Sequence, residues 1–111
     1  RKRIPGYDWR ILKLAEAGTI KKIMVDTAHF KGNFPDMCSI EGINMPELED
    51  FKVTDTAIQW KEILPKQKLQ ADNEHFFEKE IVSDDVFTHV KLNIFPDGGV
   101  SRLRVYGTIS R

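Results

Sequence analysis

Cysteine is nearly absent from this chain: Cys38 is the only one in 111 residues. No internal disulfide is possible, and one chain cannot assemble a multi-cysteine zinc site. The scarcity favours a reducing, intracellular setting, without choosing between cytoplasm and peroxisome. An excess of charge of one sign is also missing. Seventeen Lys and Arg balance seventeen Asp and Glu, so the net charge is zero. That argues against nucleic acid or a membrane surface as a partner held by bulk positive charge, and it weakens the repulsion between copies. No apolar run approaches the ~20 residues of a membrane helix. The chain opens Arg1-Lys2-Arg3 and reaches Tyr7-Asp8 without the apolar stretch of a signal peptide. It does not open on Met and reads as a piece of something longer. His29, His75 and His89 fall in no metal-ligand spacing, so neither metal nor cofactor is expected. There is no Gly-x-Ser-x-Gly elbow and no phosphate-cradling glycine loop.

What is present alternates with a period of two. Residues 9–14 read as a strand with Trp9 and Ile11 on one face, followed by a turn at Gly18. Residues 20–27 place Ile23 and Val25 on one side and Lys22, Met24 and Asp26 on the other. Residues 32–36, Gly-Asn-Phe-Pro-Asp, read as a loop. Cys38–Ile43, Ile58–Leu64 (ending at Pro65) and Phe76–Val82 read as further strands, and 44–56 as a long surface loop. Residues 88–95 carry Val90, Leu92 and Ile94 on one face. Residues 101–106 turn Leu103 and Val105 inward and Arg102 and Arg104 outward. Pro96-Asp97-Gly98-Gly99 between them predicts a hairpin with a bulged turn. Seven or so short strands and no amphipathic helix predict an all-β fold, a β-sandwich or jelly roll, with a five-stranded barrel as the competitor. The length allows one domain, 1–111.

Chemistry concentrates in few places. His29 ends a strand and opens the loop that carries Lys31 and Asn33. Strand-end loops hold ligand-binding groups, and imidazole suits proton transfer near neutrality. A plain turn histidine fits that position equally. Arg102 and Arg104 lie about 7 Å apart along a strand and could fork a carboxylate or pair with acids nearby. Asp72, Glu74 and His75 form an acidic cluster that reads as a solvated loop, and His89 reads as a surface or edge residue. Charge is uneven: 72–85 hold six acids and one base, whereas 102–111 hold three arginines and no acid.

Three stretches resemble the allantoicase family: 29–36 (His-Phe-Lys-Gly-Asn-Phe-Pro-Asp), 64–69 (Leu-Pro-Lys-Gln-Lys-Leu) and the long run 89–107, from His-Val-Lys-Leu-Asn through Pro-Asp-Gly-Gly to Val-Tyr-Gly. Residues 5–9 add a weaker match. The resemblance implies a jelly-roll sandwich of the galactose-binding-like type. It implies a hydrolase of purine catabolism that converts allantoate into ureidoglycolate and urea, built from two similar repeats and assembled into homo-oligomers. The 30–36 version is closest to the second repeat, here without that repeat's N-terminal strands, which would leave unpaired sheet edges. The small-molecule substrate is then allantoate. On side-chain chemistry, His29 or His75 is the expected proton donor. Lys31, Asn33, Arg102 and Arg104 are the expected substrate-binding residues. A non-catalytic binding module and a member that has lost activity are the alternatives.

Overall fold

The computed structural model describes residues 8–47, 59–96 and 98–110. Ile58, Asp97 and most of the loop expected over 44–56 lie outside them. Six strands are present among the described residues and no helix: β1 (Asp8–Asp26), β2 (Met37–Ile43), β3 (Lys61–Lys68), β4 (Glu74–Phe77), β5 (Val86–Phe95) and β6 (Arg102–Ile109). No helix there is long and apolar enough to cross a membrane. The all-β expectation holds.

Every pairing is antiparallel. The order is β3-β2-β5-β1-β4, with β6 also on β1. The 19-residue β1 organises the rest. Residues 8–19 pair with β5, 18–26 with β6 and 23–26 with β4. Gly18 and Thr19 pair with β5 and β6 at once, so those two strands lie on opposite edges of β1. The first half of β1 therefore belongs with β5, β2 and β3, and its second half with β4 and β6. One strand passes from one layer of the sandwich to the other.

The expected turn at Gly18 is thus corrected to continuous strand. Glycine is there for space: a Cβ on Gly18 would stand 2.3 Å from the Thr108 carbonyl oxygen, and one on Gly107 at 1.8 Å from that of Thr19. Two backbones touch where β1 changes layers, and only glycine permits it. A bulge between Ile20 and Lys22 accompanies the crossing. One extra residue flips the inward parity of a strand. Ahead of the bulge Leu12, Leu14 and Ile20 face the core, and after it Ile23 and Val25 do. Trp9 and Ile11, expected inward, take the other face, where Lys91 Nζ sits 5.5 Å from the Trp9 ring and 5.7 Å from that of Trp60.

The core joins both layers: Ile23 and Val25 of β1, Cys38 and Ile40 of β2, Ile63 and Leu64 of β3, Phe77 of β4, and Phe87, Val90, Leu92 and Ile94 of β5. Leu103 and Val105 pack against it from β6, as expected. His89 is fully buried, not at the surface. It sits on β5, the strand between β1 and β2, where both faces are covered, with the Thr88 hydroxyl 2.9 Å from its Nδ1.

The expected hairpin of 88–95 with 101–106 is also corrected. β5 and β6 do not pair with each other, because β1 stands between them. Two strand ends shift as well. β3 runs through Pro65 to Lys68 because it is an edge strand, where a missing N–H is tolerated. Between Cys38 and Ile40 the partner advances from Gln67 to Leu64, which leaves an extra residue at the bulge. β4 stops at Phe77, and the chain beyond it is tied elsewhere, the Val82 N–H donating to the Ile63 carbonyl at 2.9 Å.

Two outcomes follow from this core. A Cβ on Gly42 would stand 2.5 Å from both Ile63 Cδ1 and the Phe87 ring. Gly42→Ala should therefore lower the unfolding free energy by about 1–3 kcal/mol, read as a lower denaturation midpoint at unchanged m. Burial pushes the Cys38 thiol up to about 12. It should resist alkylation in the native chain at mildly alkaline pH and react once urea unfolds it.

Candidate functional site

Three connections meet at one end of the sandwich: 27–36 after β1, 69–73 before β4 and 98–101 before β6. Thr27 is the knot. It is fully buried, and its hydroxyl donates to the Gln70 carbonyl at 2.6 Å and accepts from the Asn73 N–H at 3.1 Å. Its own N–H donates to the Asn73 carbonyl at 2.9 Å. Asp26 caps the end of β1, with Oδ1 accepting the Ala28 N–H at 2.8 Å. The Asp26 carbonyl takes both the N–H and the hydroxyl of Ser101, at 2.8 and 3.0 Å. The Gly99 N–H donates to the Asn33 carbonyl at 2.7 Å. A Cβ at Gly99 would lie 2.1 Å from the Phe30 ring, so the glycine lets the two loops close on each other.

Opposed residues in the left-handed region mark this end. His29 has φ 73° and Asp72 has φ 48°. They are fastened together, the His29 N–H donating to Asp72 Oδ1 at 2.8 Å. Each such residue costs of order 1 kcal/mol and persists only where its surroundings hold it. The cluster that reads as a solvated loop in sequence is a clamp on the histidine loop.

The loops form one wall of a cleft of about 370 Å³. It is lined by Phe30 and the 98–103 segment and by Asp8, Trp9, Arg10 and Leu12 of β1, with Leu92 and Ile94 on the paired β5. Asp8 is buried, with Oδ1 accepting the Trp9 N–H at 2.8 Å, and the Arg10 side is open to solvent. Asp8, Arg10, Ser101 and Arg102 are thus the polar and charged residues in a lining that is otherwise apolar. Such a lining suits a small polar anion that also carries N–H donors.

Of the residues expected from sequence, Arg102 lines this cleft. His29, Lys31 and Asn33 are exposed on the adjoining loop, to either side of Phe30 and joined to the cleft wall by the Asn33–Gly99 bond. Arg104 lies on the outer sheet face, opposite Met24. His75 is committed on both nitrogens: Nε2 accepts the Gln70 N–H at 2.8 Å, so Nδ1 carries the hydrogen that reaches the Val25 carbonyl at 3.0 Å. Asp8, Arg10 and Ser101 are cleft residues that the sequence reading does not single out. The available signal is the i, i+2, i+4 stripe Asp8, Arg10, Leu12. Among the described residues no cluster of three His, Cys, Asp or Glu could hold a metal ion.

The family model of the allantoicase repeat matches residues 1–110. The chain is 50% identical over its whole length to a probable allantoicase of Burkholderia mallei, and 49% identical over 99% of its length to one of Rhizobium meliloti. It spans about a third of the length of these relatives, 33% and 34%. Among solved structures, the allantoicase of Saccharomyces cerevisiae superposes with a TM-score of 0.74 at 42% identity, over 97% of this chain and 30% of that one. The C-terminal domain of a chitobiase from Bacteroides fragilis superposes with a TM-score of 0.68 at 16% identity, over 97% and 68%, a likeness of fold alone. The architecture is the expected jelly-roll sandwich of the galactose-binding-like type.

The knot at Thr27 can be tested directly. Thr27→Val keeps the shape and removes the hydroxyl, leaving the Gln70 carbonyl and the Asn73 N–H without it. Stability should fall by about 1–3 kcal/mol. Amide exchange should quicken at Asn73 and in the 28–33 loop, while β2 and β5 keep their protection.

Proposed function

This chain belongs to the allantoicase family, and from that premise we propose that the longer protein of which it forms one of two repeats hydrolyses allantoate to ureidoglycolate and urea. The observation that carries the reading is the match at about 50% identity along the entire chain to proteins named probable allantoicase. The setting is intracellular, and the working form is a homo-oligomer.

The cleft suits this substrate. Allantoate is a carboxylate whose central carbon bears two ureido groups. Arg102 and Arg10, both in the lining of the cleft, would hold the carboxylate, since guanidinium forks match its two oxygens. The buried Asp8 carboxylate would accept from ureido N–H groups. Hydrolysis breaks the bond between the central carbon and one ureido nitrogen. Water supplies the hydroxyl that stays on carbon, and the nitrogen leaves with one added proton as urea. That proton must come from a group able to give it near neutrality. His29 is the candidate, on the loop that borders the cleft. His75 has both nitrogens engaged and serves to hold the loops. Lys31 and Asn33 sit beside His29, where they would meet the outer part of the substrate.

The test is urea release by the full-length enzyme with changes in this repeat. Arg102→Ala should raise KM by roughly 10²-fold, the scale of a lost charge-assisted anchor. His29→Ala should lower kcat by about 10²–10⁴-fold with a smaller change in KM. Unchanged KM in the first removes the anchor, and unchanged kcat in the second removes the proton donor. A wild-type protein that binds allantoate yet releases no urea would be a binding module.

A further inference from the structure

Residues 27–30 and 70–73 form two tight turns tied to each other. In the first, the Phe30 N–H donates to the Thr27 carbonyl at 3.0 Å, and His29 holds the third position with φ 73°. That is the pattern of a type II turn, whose third position favours glycine because its φ is positive. In the second, Asp72 holds the third position with φ 48°. The closing bond of this turn runs through the Thr27 hydroxyl, which links the Gln70 carbonyl to the Asn73 N–H. A histidine where glycine would be unstrained needs a support, and the support is Asp72. Its Oδ1 accepts the His29 N–H at 2.8 Å, and its own N–H donates to the Phe30 carbonyl at 3.2 Å. One residue of the second turn thus holds two neighbours of the first. Phe30 lines the cleft, and the exposed His29 precedes it on the same loop.

We propose that Asp72 is a positioning residue for the hydrolysis: its carboxylate fixes the left-handed backbone at His29 and so sets where the imidazole stands beside the cleft. The proposal rests on the reading that His29 gives the proton. Asp72 acts on the backbone N–H of His29, so what it controls is the direction in which that side chain leaves the chain. Without the bond, residue 29 is free to return to the backbone regions that a histidine prefers, and the imidazole turns away. A misplacement of about 1 Å can cost 10²-fold in rate. The bond is the working part, and the charge is not. Asparagine offers the same oxygen and tolerates the same backbone. Glycine keeps the backbone freedom and loses the oxygen. The Asp72 N–H to the Phe30 carbonyl survives both changes, so the cleft lining at Phe30 stays tied. The effect therefore belongs on kcat, with KM little moved.

Urea release by the full-length enzyme compares these variants. Asp72→Gly should lower kcat by about 10-fold or more, with KM within about 3-fold of the wild type. Asp72→Asn should recover most of that loss. In a His29→Ala background Asp72→Gly should cost no further rate, because its effect passes through His29. An unchanged kcat in Asp72→Gly, beside a lowered one in His29→Ala, overturns the positioning role and leaves the proton donor in place. So does an equal loss in the His29→Ala background, or a loss in Asp72→Asn as large as in Asp72→Gly. An unchanged kcat in His29→Ala overturns the donor and its support together. Amide exchange on the wild-type enzyme needs no variant to fold. The His29 N–H, on an exposed residue, should exchange at least about 10-fold more slowly than an open amide. Exchange at the open rate overturns the proposal.

Discussion

The passage of β1 from one layer to the other is the constraint on which the rest depends. It requires backbone contact at Gly18 and Gly107, closer than any side chain allows. It also requires the bulge after Ile20, which turns a new set of residues toward the core. Once β1 is shared, β5 and β6 are forced to its opposite edges, and the link between them must arch over the end of the sandwich. That arch brings Gly98, Gly99 and Ser101 against the loop after β1.

The site follows from the arch. The first half of β1 contributes Asp8 and Arg10, and the segment entering β6 contributes Ser101 and Arg102. Residues more than ninety positions apart in sequence line one cleft. The loops around them are held by hydrogen bonds from the buried Thr27 and Asp26 and the half-buried His75, each bridging two segments. A cleft at a clamped end of a sandwich has its loop backbone already ordered, which lowers the ordering cost of a ligand it takes.

Period-two alternation was enough to find most strands and the inner faces of 20–27, 88–95 and 101–106. It failed at Trp9 and Ile11 for a physical reason. Those side chains are more apolar than Asp8 and Arg10, and hydropathy therefore names the wrong face. The parity read correctly at Ile23 and Val25 does not extend back across the bulge. The hairpin was illegible in another way. Pro-Asp-Gly-Gly reports that the chain reverses, and local residues cannot report that a distant strand occupies the space between. The loop that carries His29 is legible in the sequence because turn chemistry is local. Asp8 and Arg10 were missed because their cleft exists only after 98–103 folds over β1.

The reading proposed above places allantoate in the hollow between the start of β1 and the 98–103 segment. The most direct measurement is the structure of the chain, or of the longer protein containing it, with allantoate bound under conditions too slow for turnover. The carboxylate should lie between Arg10 and Arg102, with a ureido group toward Asp8. Allantoate bound elsewhere, with these three side chains untouched, would contradict it.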